Sequence, residues 1–464
     1  MDKFPTHNKV LIIGAGPGGL CAAFKLVKSG VIPLIIEQQD ITGGQAKSVC
    51  LDDVKVDVGN KQFYSRIPEL IDFLENDLGC EMTNYLQRIG IVYNNKIFEQ
   101  SSKYRGVRRG MPLFLLVQGL LDLVKSKLEA SRIEAANFEK QMHQLRGKLF
   151  SKIFAQTYEE KVTGLLWKDV PFSKIESLQP DKNLINGLKR FVSHSKQIKS
   201  KQPLWQHPIQ STGKIAEIIT AYLVQQGVPI LYNSKVTGID IEENNLNKVT
   251  IQNGEGISCE YADNVIVSAP ISKINDWISG KNVSKNVIPK MRSAVIVYLV
   301  MSGDCLFEHT FLRIATPDTP ITRITNYNAY DANMVGSGKC CIGIELFLHQ
   351  NNVDYKQSDN WFLEMAVSFC KQANLIDADK IINSKVLRIP FGEAGLSPKD
   401  YLVNEELRSA YNNVSLKPNL YYITRTGLDR SMHAGLLAAA AILENKRDLF
   451  LSKTNQLATE PWLD

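Results

Sequence analysis

Three glycines near the beginning of the chain have the spacing that dinucleotide binding requires. Gly14, Gly16 and Gly19 follow the apolar run Val10–Ile13, and apolar residues then recur with helical spacing. In such a strand–turn–helix unit, the first glycine permits the tight turn and the second leaves room for a pyrophosphate at the helix N-terminus, while the third lets the helix pack on the strand. The chemistry indicated is the binding of a dinucleotide through backbone amides.

An acidic residue follows at the distance at which such a unit binds a ribose. Ile32–Ile36 has the composition of a second buried strand, and Glu37 ends it 18 residues after Gly19. A carboxylate at this place accepts hydrogen bonds from ribose hydroxyls. The alternative is that Glu37 only ends the strand, but the motif elements stand in their expected order, which favours nucleotide binding.

Two further elements follow the acid and complete a recognisable order. The doublet Gly43–Gly44 comes within seven residues of Glu37, and a predicted hairpin over residues 46–58 leads to Asp57–Gly59. This order resembles the FAD-binding fold shared by flavin amine oxidases, protoporphyrinogen oxidases, phytoene desaturases and UDP-galactopyranose mutases. Residues 158–175 and 204–227 are most similar to a bacterial subgroup related to protoporphyrinogen oxidases and UDP-galactopyranose mutases.

The resemblance implies a set of cofactor-binding residues for non-covalently bound FAD. In the family, the strand that contains Val236 supplies a backbone contact to adenine, and the turn and helix near Asp429 face the pyrimidine end of the flavin. A helix N-terminus there stabilises the negative charge of the reduced ring. The implied residues are Gly14, Gly16, Gly18, Gly19, Glu37, Gly43, Gly44, Gln45, Gly59, Asn60, Val236, Asp429 and Met432.

The chain departs from the family beside the expected flavin face. Relatives often carry two glycines and a histidine where this sequence has Gly59-Asn60-Lys61. We therefore predict Lys61 and Arg425 as the catalytic pair, although a loop lysine is usually solvated. A tyrosine-containing segment that precedes the C-terminal turn in the mutases is missing here, which disfavours mutase activity.

Four residues of a predicted antiparallel sheet are candidates for substrate binding. Residues 292–349 contain alternating β-branched and aromatic runs, which indicate such a sheet. In the family this sheet forms the floor of the substrate cavity. The alternative is that these residues only pair with neighbours within the sheet. The candidates are Arg292, Arg323, Asn326 and Tyr327.

The predicted fold class is α/β, a Rossmann-like FAD-binding domain of the amine-oxidase type with a substrate domain of mixed antiparallel sheet and a helical cap. The FAD-binding domain is predicted to be discontinuous, over residues 1–65, 205–270 and 385–464. Residues 66–204 form the predicted cap, and residues 271–384 the substrate domain. Within the cap, residues 111–150 have apolar positions at helical spacing, which predicts either a plain scaffold or a face close to a membrane.

Composition limits the possible partners. The chain has 464 residues and a net charge of +6, which does not suggest nucleic-acid binding. Its eight cysteines show no CxxC pair and no histidine at ligand spacing, so we expect reduced thiols and no metal.

A basic run over residues 103–109 is either a solvated loop or a site for an anionic substrate group. No secretory signal and no apolar run long enough to span a membrane is visible, so we expect a cytoplasmic protein, for which peripheral membrane contact stays open.

These features predict an FAD-dependent oxidoreductase that oxidises C–N, C–O or C–C bonds of a small biosynthetic metabolite by hydride transfer to flavin N5. One alternative is a non-redox flavoenzyme similar to UDP-galactopyranose mutase, which acts on a nucleotide sugar. Another is a non-catalytic protein that keeps the fold and binds a partner. The sequence predicts neither the substrate nor the electron acceptor, and it leaves the oligomeric state undetermined.

Overall fold

The computed structural model describes residues 9–63, 65, 67–100, 112–130, 136–170, 205–241, 247–269, 271–279, 292–349, 352–389, 419–423, 427–448 and 450–452.

The strands among these residues are β1 (Val10–Ile13), β2 (Leu34–Ile36), β3 (Ser48–Leu51), β4 (Val54–Asp57), β5 (Met82–Tyr85), β6 (Ile89–Tyr93), β7 (Lys96–Gln100), β8 (Trp205–Pro208), β9 (Ile230–Leu231), β10 (Lys235–Ile241), β11 (Asn247–Asn253), β12 (Gly256–Ala262), β13 (Asn264–Val267), β14 (Arg292–Ser302), β15 (Phe311–Ile314), β16 (Ile321–Asn326), β17 (Lys339–His349), β18 (Ile381–Ile389) and β19 (Leu420–Tyr422). The α-helices among these residues are α1 (Pro17–Lys28), α2 (Pro68–Asp72), α3 (Leu113–Ala130), α4 (Phe138–Arg146), α5 (Lys148–Ser151), α6 (Thr157–Thr163), α7 (Gly213–Gln225), α8 (Ile271–Ser279), α9 (Asp359–Gln372) and α10 (Leu428–Glu444).

A parallel sheet of five strands, in the order β19-β13-β1-β2-β9, forms the first half of the structure. Its central strand β1 pairs with β13 and β2, so that Ile12 lies beside Ile266 and Ile35. One face packs on α1, α7 and α10, and the other on the three-stranded sheet β10-β11-β12. Because both faces are covered, the strands are continuous apolar runs, as the sequence predicted for β1.

The second half is a sheet of seven strands in the order β18-β14-β17-β16-β15-β6-β7. All neighbours are antiparallel except β15 and β6, which are parallel. Alternate residues of β14 face opposite sides: Val295 and Val297 pack towards α9, whereas Ile296 and Tyr298 face the β3–β4 hairpin. Cys340 and Cys341 divide in the same way, which explains why two adjacent cysteines are both buried.

The predicted fold class is confirmed: the structure combines a Rossmann-like domain with a mainly antiparallel sheet and a group of helices. The second strand is shorter than predicted, Leu34–Ile36 rather than Ile32–Ile36. Residues 89–100, which lie within the predicted cap, pair as β6 and β7 with the large sheet, and β18 crosses the predicted boundary at residue 385. Strand pairing between distant segments decides these positions; the division into three units itself stays a proposal.

Candidate active site

The glycine-rich turn has one glycine that opens a space and others that allow packing. Gly14 has φ +96° and its N–H donates to the Ile36 carbonyl at 2.8 Å. A Cβ on Gly19 would lie 2.0 Å from the Gly14 carbonyl oxygen, so this position requires glycine for packing. A Cβ on Gly16 would meet only Ser268 Oγ, at 3.8 Å. Packing within the protein therefore does not require glycine at residue 16.

Glu37 is buried beside this turn. Its Oε2 accepts a hydrogen bond from the Ala15 N–H at 2.7 Å, and its Oε1 accepts one from the Gln39 N–H at 2.8 Å. The Ser234 N–H donates to the Glu37 carbonyl at 2.9 Å, two residues before Val236 in β10. The two residues predicted at the adenosine end of the cofactor, Glu37 and Val236, thus lie in neighbouring segments.

The glycine doublet closes the other side of the turn. Gly43 has φ +95° and its N–H donates to the Ala15 carbonyl at 2.8 Å. A Cβ on Gly44 would lie 3.3 Å from the Cα of Gly16, so the two backbones face each other closely. Gln45 follows in the same short turn. Gly16 and Gly44 therefore border the space at the N-terminus of α1.

A close contact of α1 with α10 brings a second helix N-terminus to this turn. A Cβ on Gly435 would lie 2.0 Å from the Gly18 carbonyl oxygen, and a Cβ on Gly18 would lie 2.7 Å from the Ser431 carbonyl oxygen. Asp429 lies in the first turn of α10, and burial raises the pKa of its carboxyl. Met432 is fully buried in the core, so its side chain packs between the helices rather than lining the turn.

These residues fit a dinucleotide. The space bordered by Gly16 and Gly44 lies at a helix N-terminus, where unpaired amides and the helix dipole favour a pyrophosphate. Glu37 provides the carboxylate at the end of β2. The structure therefore brings together the residues predicted to bind the adenosine and the pyrophosphate of the cofactor.

Asp57, at the end of β4, is buried and forms hydrogen bonds with residues of several elements. Its Oδ1 accepts hydrogen bonds from the Thr212 N–H at 2.8 Å and hydroxyl at 2.7 Å, just before α7. Its carbonyl oxygen accepts the hydroxyls of Tyr298 at 3.0 Å and Tyr327 at 3.1 Å. The carboxylate and the backbone of Asp57 together fix the loop that follows.

His207 contacts the second carboxylate oxygen of Asp57. Its Nε2 lies 2.7 Å from Asp57 Oδ2 and its Nδ1 lies 2.8 Å from the Pro208 carbonyl oxygen, and the side chain is fully buried. The pair therefore joins β8 to the end of β4 in the interior of the protein.

The loop after Asp57 lies against a buried ion pair of the large sheet. Arg323 and Glu345 are directly opposite on β16 and β17, and the guanidinium binds both carboxylate oxygens, at 3.1 and 2.5 Å. Glu345 Oε1 also accepts the Asn60 N–H at 3.0 Å. Gly59 has φ +70°, and a Cβ there would lie 3.1 Å from Glu345 Oε2. Glycine is thus required where the loop passes the carboxylate.

Lys61 lies next to this ion pair. Burial lowers the pKa of its ammonium group, while the negative charges of Asp57 and Glu345 oppose that effect in part. Tyr330 donates a hydrogen bond to Asn60 Oδ1 at 2.5 Å. The loop therefore presents an amide and an amine beside the ion pair in a partly buried position, where charge interactions are stronger than in water.

The predicted substrate-binding residues have different surroundings. Arg323 and Tyr327 belong to this site, through Glu345 and Asp57 respectively. Asn326 is directed elsewhere: its Nδ2 donates to the Phe307 carbonyl at 2.9 Å, so it holds the loop before β15. Arg292 begins β14, and its side chain is outside the described structure, as are Arg425 and the basic run 103–109.

Sequence reasoning missed Glu345, His207 and Tyr298. A signal existed for Glu345, because it is the one acid within the apolar run Cys340–Leu348. No comparable signal existed for His207, which meets Asp57 across 150 residues of sequence.

Comparisons with known proteins agree with this geometry. Residues 12–76 match the family model of the NAD(P)-binding Rossmann-like domain. The structure of a reduced UDP-galactopyranose mutase superimposes with a TM-score of 0.76 at 18% identity, over 95% of each chain. The chain has an amine-oxidase type of fold. A protein from Exiguobacterium named as a putative protoporphyrinogen oxidase gives a TM-score of 0.68 at 14% identity over 95% of this chain and 100% of the other. Putrescine oxidase bound to putrescine gives 0.60 at 14% identity over 94% and 99%.

A curated relative is similar over part of the sequence. A probable UDP-galactopyranose mutase of Klebsiella pneumoniae is 24% identical over 174 residues, which are 37% of this chain and 45% of the mutase. The match thus spans less than half of the mutase. Among the residues that the structure describes, no group of three or more histidine, cysteine or acidic side chains is arranged to hold a metal ion. No described helix has the length and apolarity to cross a membrane.

Proposed function

We propose that this chain is an FAD-dependent enzyme that binds its cofactor non-covalently and acts on a small molecule. The pyrophosphate would lie at Gly16 and Gly44, with the adenosine ribose at Glu37 and the N-terminus of α10 towards the other end of the cofactor. Support comes from the space that Gly16 leaves open, which no packing contact explains.

The observation that carries the proposal is the connection of this space to the buried polar site. The Thr212 hydroxyl lies 2.7 Å from Asp57 Oδ1 and 3.4 Å from the carbonyl oxygen of Ala46, which ends the turn that begins at Gly44. Because β3 and β4 are antiparallel, with Ser48 opposite Asp57, both points lie at the open end of this hairpin, and the chain continues from there to Asn60 and Lys61 at the ion pair of Arg323 and Glu345. A cofactor that extends from the glycine turn past the open end of the hairpin would end beside Lys61.

A bound flavin would accept a hydride from a C–N, C–O or C–C bond of the substrate at its N5 atom. The residues of the chain would orient the substrate and exclude water. Lys61 and Arg323 supply positive charge, and Glu345 fixes the Arg323 guanidinium and the Asn60 amide in place. We propose oxidation as the reaction class because the structure resembles a protein named as a putative protoporphyrinogen oxidase and a putrescine oxidase.

A mutase-like reaction on a nucleotide sugar is the second candidate. It is favoured by the similarity to UDP-galactopyranose mutases in structure and in part of the sequence. It is disfavoured by Asn60 and Lys61, which replace a glycine and a histidine of the resembling family, and by the lack of the tyrosine-containing segment that precedes the C-terminal turn in the mutases.

The cofactor proposal is tested with Gly16→Val. Residue 16 has extended backbone (φ −74°, ψ 176°) and its Cβ would have ordinary contacts, so the variant should fold. It should retain less than about a tenth of the wild-type FAD, measured by chromatography of the heat-released cofactor, because the side chain fills the pyrophosphate space. Gly254→Val, at a glycine with open surroundings, is the control and should keep full FAD content. Full FAD content in Gly16→Val would refute the proposed binding mode.

The two reactions are distinguished with the wild-type holoprotein. Incubation with UDP-galactopyranose under dithionite, followed by chromatography, tests the mutase reaction. Isomerised nucleotide sugar would overturn the oxidase proposal. Anaerobic screening of amines, alcohols and isoprenoid intermediates for bleaching of the flavin spectrum tests oxidation, and bleaching by one of them would support it.

A further inference from the structure

Three charged residues form a row across the large sheet, on the face turned away from α9. Arg313 of β15 stands opposite Arg323 of β16, and Arg323 stands opposite Glu345 of β17. The neighbours of Arg313 within β15, Leu312 and Ile314, pack towards α9 instead. Because side chains alternate along a strand, Arg313 shares the face of the buried ion pair and extends the site along the sheet.

Helix α6 covers the outer end of this row. The Lys161 Nζ donates to the carbonyl oxygens of Ile314 at 3.4 Å and Ile321 at 3.2 Å, which fixes α6 on β15 and β16. The ring of Tyr158, which precedes Lys161 by three residues, has its centre 5.0 Å from the guanidinium carbon of Arg313. Such a contact stabilises a positive charge but does not neutralise it.

The charge of Arg313 has no counter-ion among the described residues. Its Nε is buried there without an acceptor, and no described acidic side chain forms an ion pair with it. The one acid of the row, Glu345, binds the Arg323 guanidinium with both oxygens. Its Oε1 also accepts the Asn60 N–H and the Thr325 hydroxyl. Two like charges that stand opposite each other on neighbouring strands are therefore balanced by a single carboxylate, an arrangement that destabilises a sheet.

Two further donors of the site are left without an acceptor. In the described structure, the Asn60 Nδ2 is buried and makes no hydrogen bond, since the Tyr330 hydroxyl binds the Oδ1 instead. Lys61 lies near the charge of Arg323 and makes no hydrogen bond to a described residue. Buried polar groups are normally paired, and here each unpaired group, including Arg313, is a donor. What the site lacks is an acceptor, and positively charged donors bind an anionic one most strongly.

We propose that Arg313 binds an oxyanion group of the substrate, a carboxylate or a phosphate, and thereby selects anionic substrates. Neighbouring strands are about 4.8 Å apart, so Arg313 lies about 10 Å along the sheet from Glu345, beside which Lys61 is held. A small molecule spans this distance with its reacting bond near Lys61 and its anionic end at Arg313. The planar guanidinium can donate two parallel hydrogen bonds to either anion. The inference rests on the proposed function, because it concerns the same site.

Calorimetric titration of the purified holoprotein with three probes that share a phenyl ring tests this assignment. The probes are benzoate, phenyl phosphate and the neutral benzamide. At least one anion should bind about tenfold or more tightly than benzamide, and the tighter of the two identifies the group as a carboxylate or a phosphate. Arg313→Gln should lose at least about tenfold in affinity for that anion and none for benzamide, because charge-assisted hydrogen bonds are lost. The matched control, Arg146→Gln, removes an exposed charge on α4 and should bind as the wild type does.

The proposal is wrong if neither anion binds the wild type more tightly than benzamide, or if Arg313→Gln keeps the preference. An equal loss of affinity for the anions and benzamide would show that Arg313 only supports the structure. If Arg313→Gln folds poorly, Arg313→Lys replaces it: this variant keeps the charge but not the planar pair of donors, so it should bind the preferred anion more weakly and benzamide equally well. Unchanged anion affinity in Arg313→Lys would then contradict the proposal.

The FAD content of the same preparations separates this inference from the proposed function. Wild-type protein without FAD would contradict the proposed function. Calorimetry does not depend on the flavin spectrum, so the preference for anions is measured in either case. Protein that contains FAD but shows no such preference would overturn the role of Arg313 alone.

Discussion

At the scale of single residues, two carboxylates of the site, those of Asp57 and Glu345, each bind several buried polar groups. Asp57 uses both carboxylate oxygens and its carbonyl, and Glu345 binds Arg323, Asn60 and the Thr325 hydroxyl. Buried charges of this kind are costly unless every partner is present. The removal of one partner should therefore have a larger effect than the loss of one ordinary hydrogen bond.

His207→Ala should lower the free energy of unfolding by about 3–5 kcal/mol, because it leaves the Asp57 carboxylate buried beside an empty space. Urea denaturation measures this change. The control is His143→Ala, whose ring lies at a partly buried position and contacts Gln156 at 3.0 Å; it should cost about 1 kcal/mol. An effect of His207→Ala no larger than that of the control would contradict the role assigned to the pair.

Lys61→Met should change the pH dependence of stability. Burial lowers the pKa of Lys61 below its usual 10.5, so between the lowered value and 10.5 the unfolded chain binds more protons than the folded one. The wild type should therefore gain stability relative to the variant as pH rises through this window, and the relative gain should be absent at lower pH. Denaturation curves at several pH values measure it; a relative loss with rising pH would show that the ammonium is stabilised by Asp57 and Glu345 more than burial disfavours it.

At the scale of elements, the sequence pattern predicted the secondary structure correctly where a segment determines its own structure. The strand, turn and helix of residues 10–28 are as predicted, as is the antiparallel sheet over residues 292–349. The pattern did not reveal that β6 pairs in parallel with β15, or that Arg323 stands opposite Glu345. Such pairings depend on register between distant strands, and a shift by one residue would turn either side chain to the other face.

Gly435→Ala tests whether the close packing of α1 and α10 positions the second helix N-terminus. The added Cβ would lie 2.0 Å from the Gly18 carbonyl oxygen, so the helices must separate. We expect a loss of about 1–3 kcal/mol in stability and a lower FAD content of the purified protein. Gly254→Ala, with open space around its Cβ, is the control. Unchanged stability and cofactor content would show that α10 tolerates displacement.

At the scale of the whole molecule, the two sheets meet at the β3–β4 hairpin. Its first end lies beside the glycine turn, and Asp57 at its second end is bound by β8, β14 and the residues before α7. Sequence reasoning placed Gly14, Gly16, Glu37 and Gly44 together because a local motif carries them. It could not place His207 or Glu345, because only the assembled fold brings them to the hairpin.

The absorbance spectrum of the purified wild-type protein, recorded before and after dithionite and again after air is readmitted, tests the central claim most directly. The account predicts bands near about 370 and 450 nm that bleach on reduction and return in air, as expected of a bound redox-active flavin. A colourless protein that also fails to take up added FAD would contradict it, because the space at Gly16 and Gly44 would then serve no flavin.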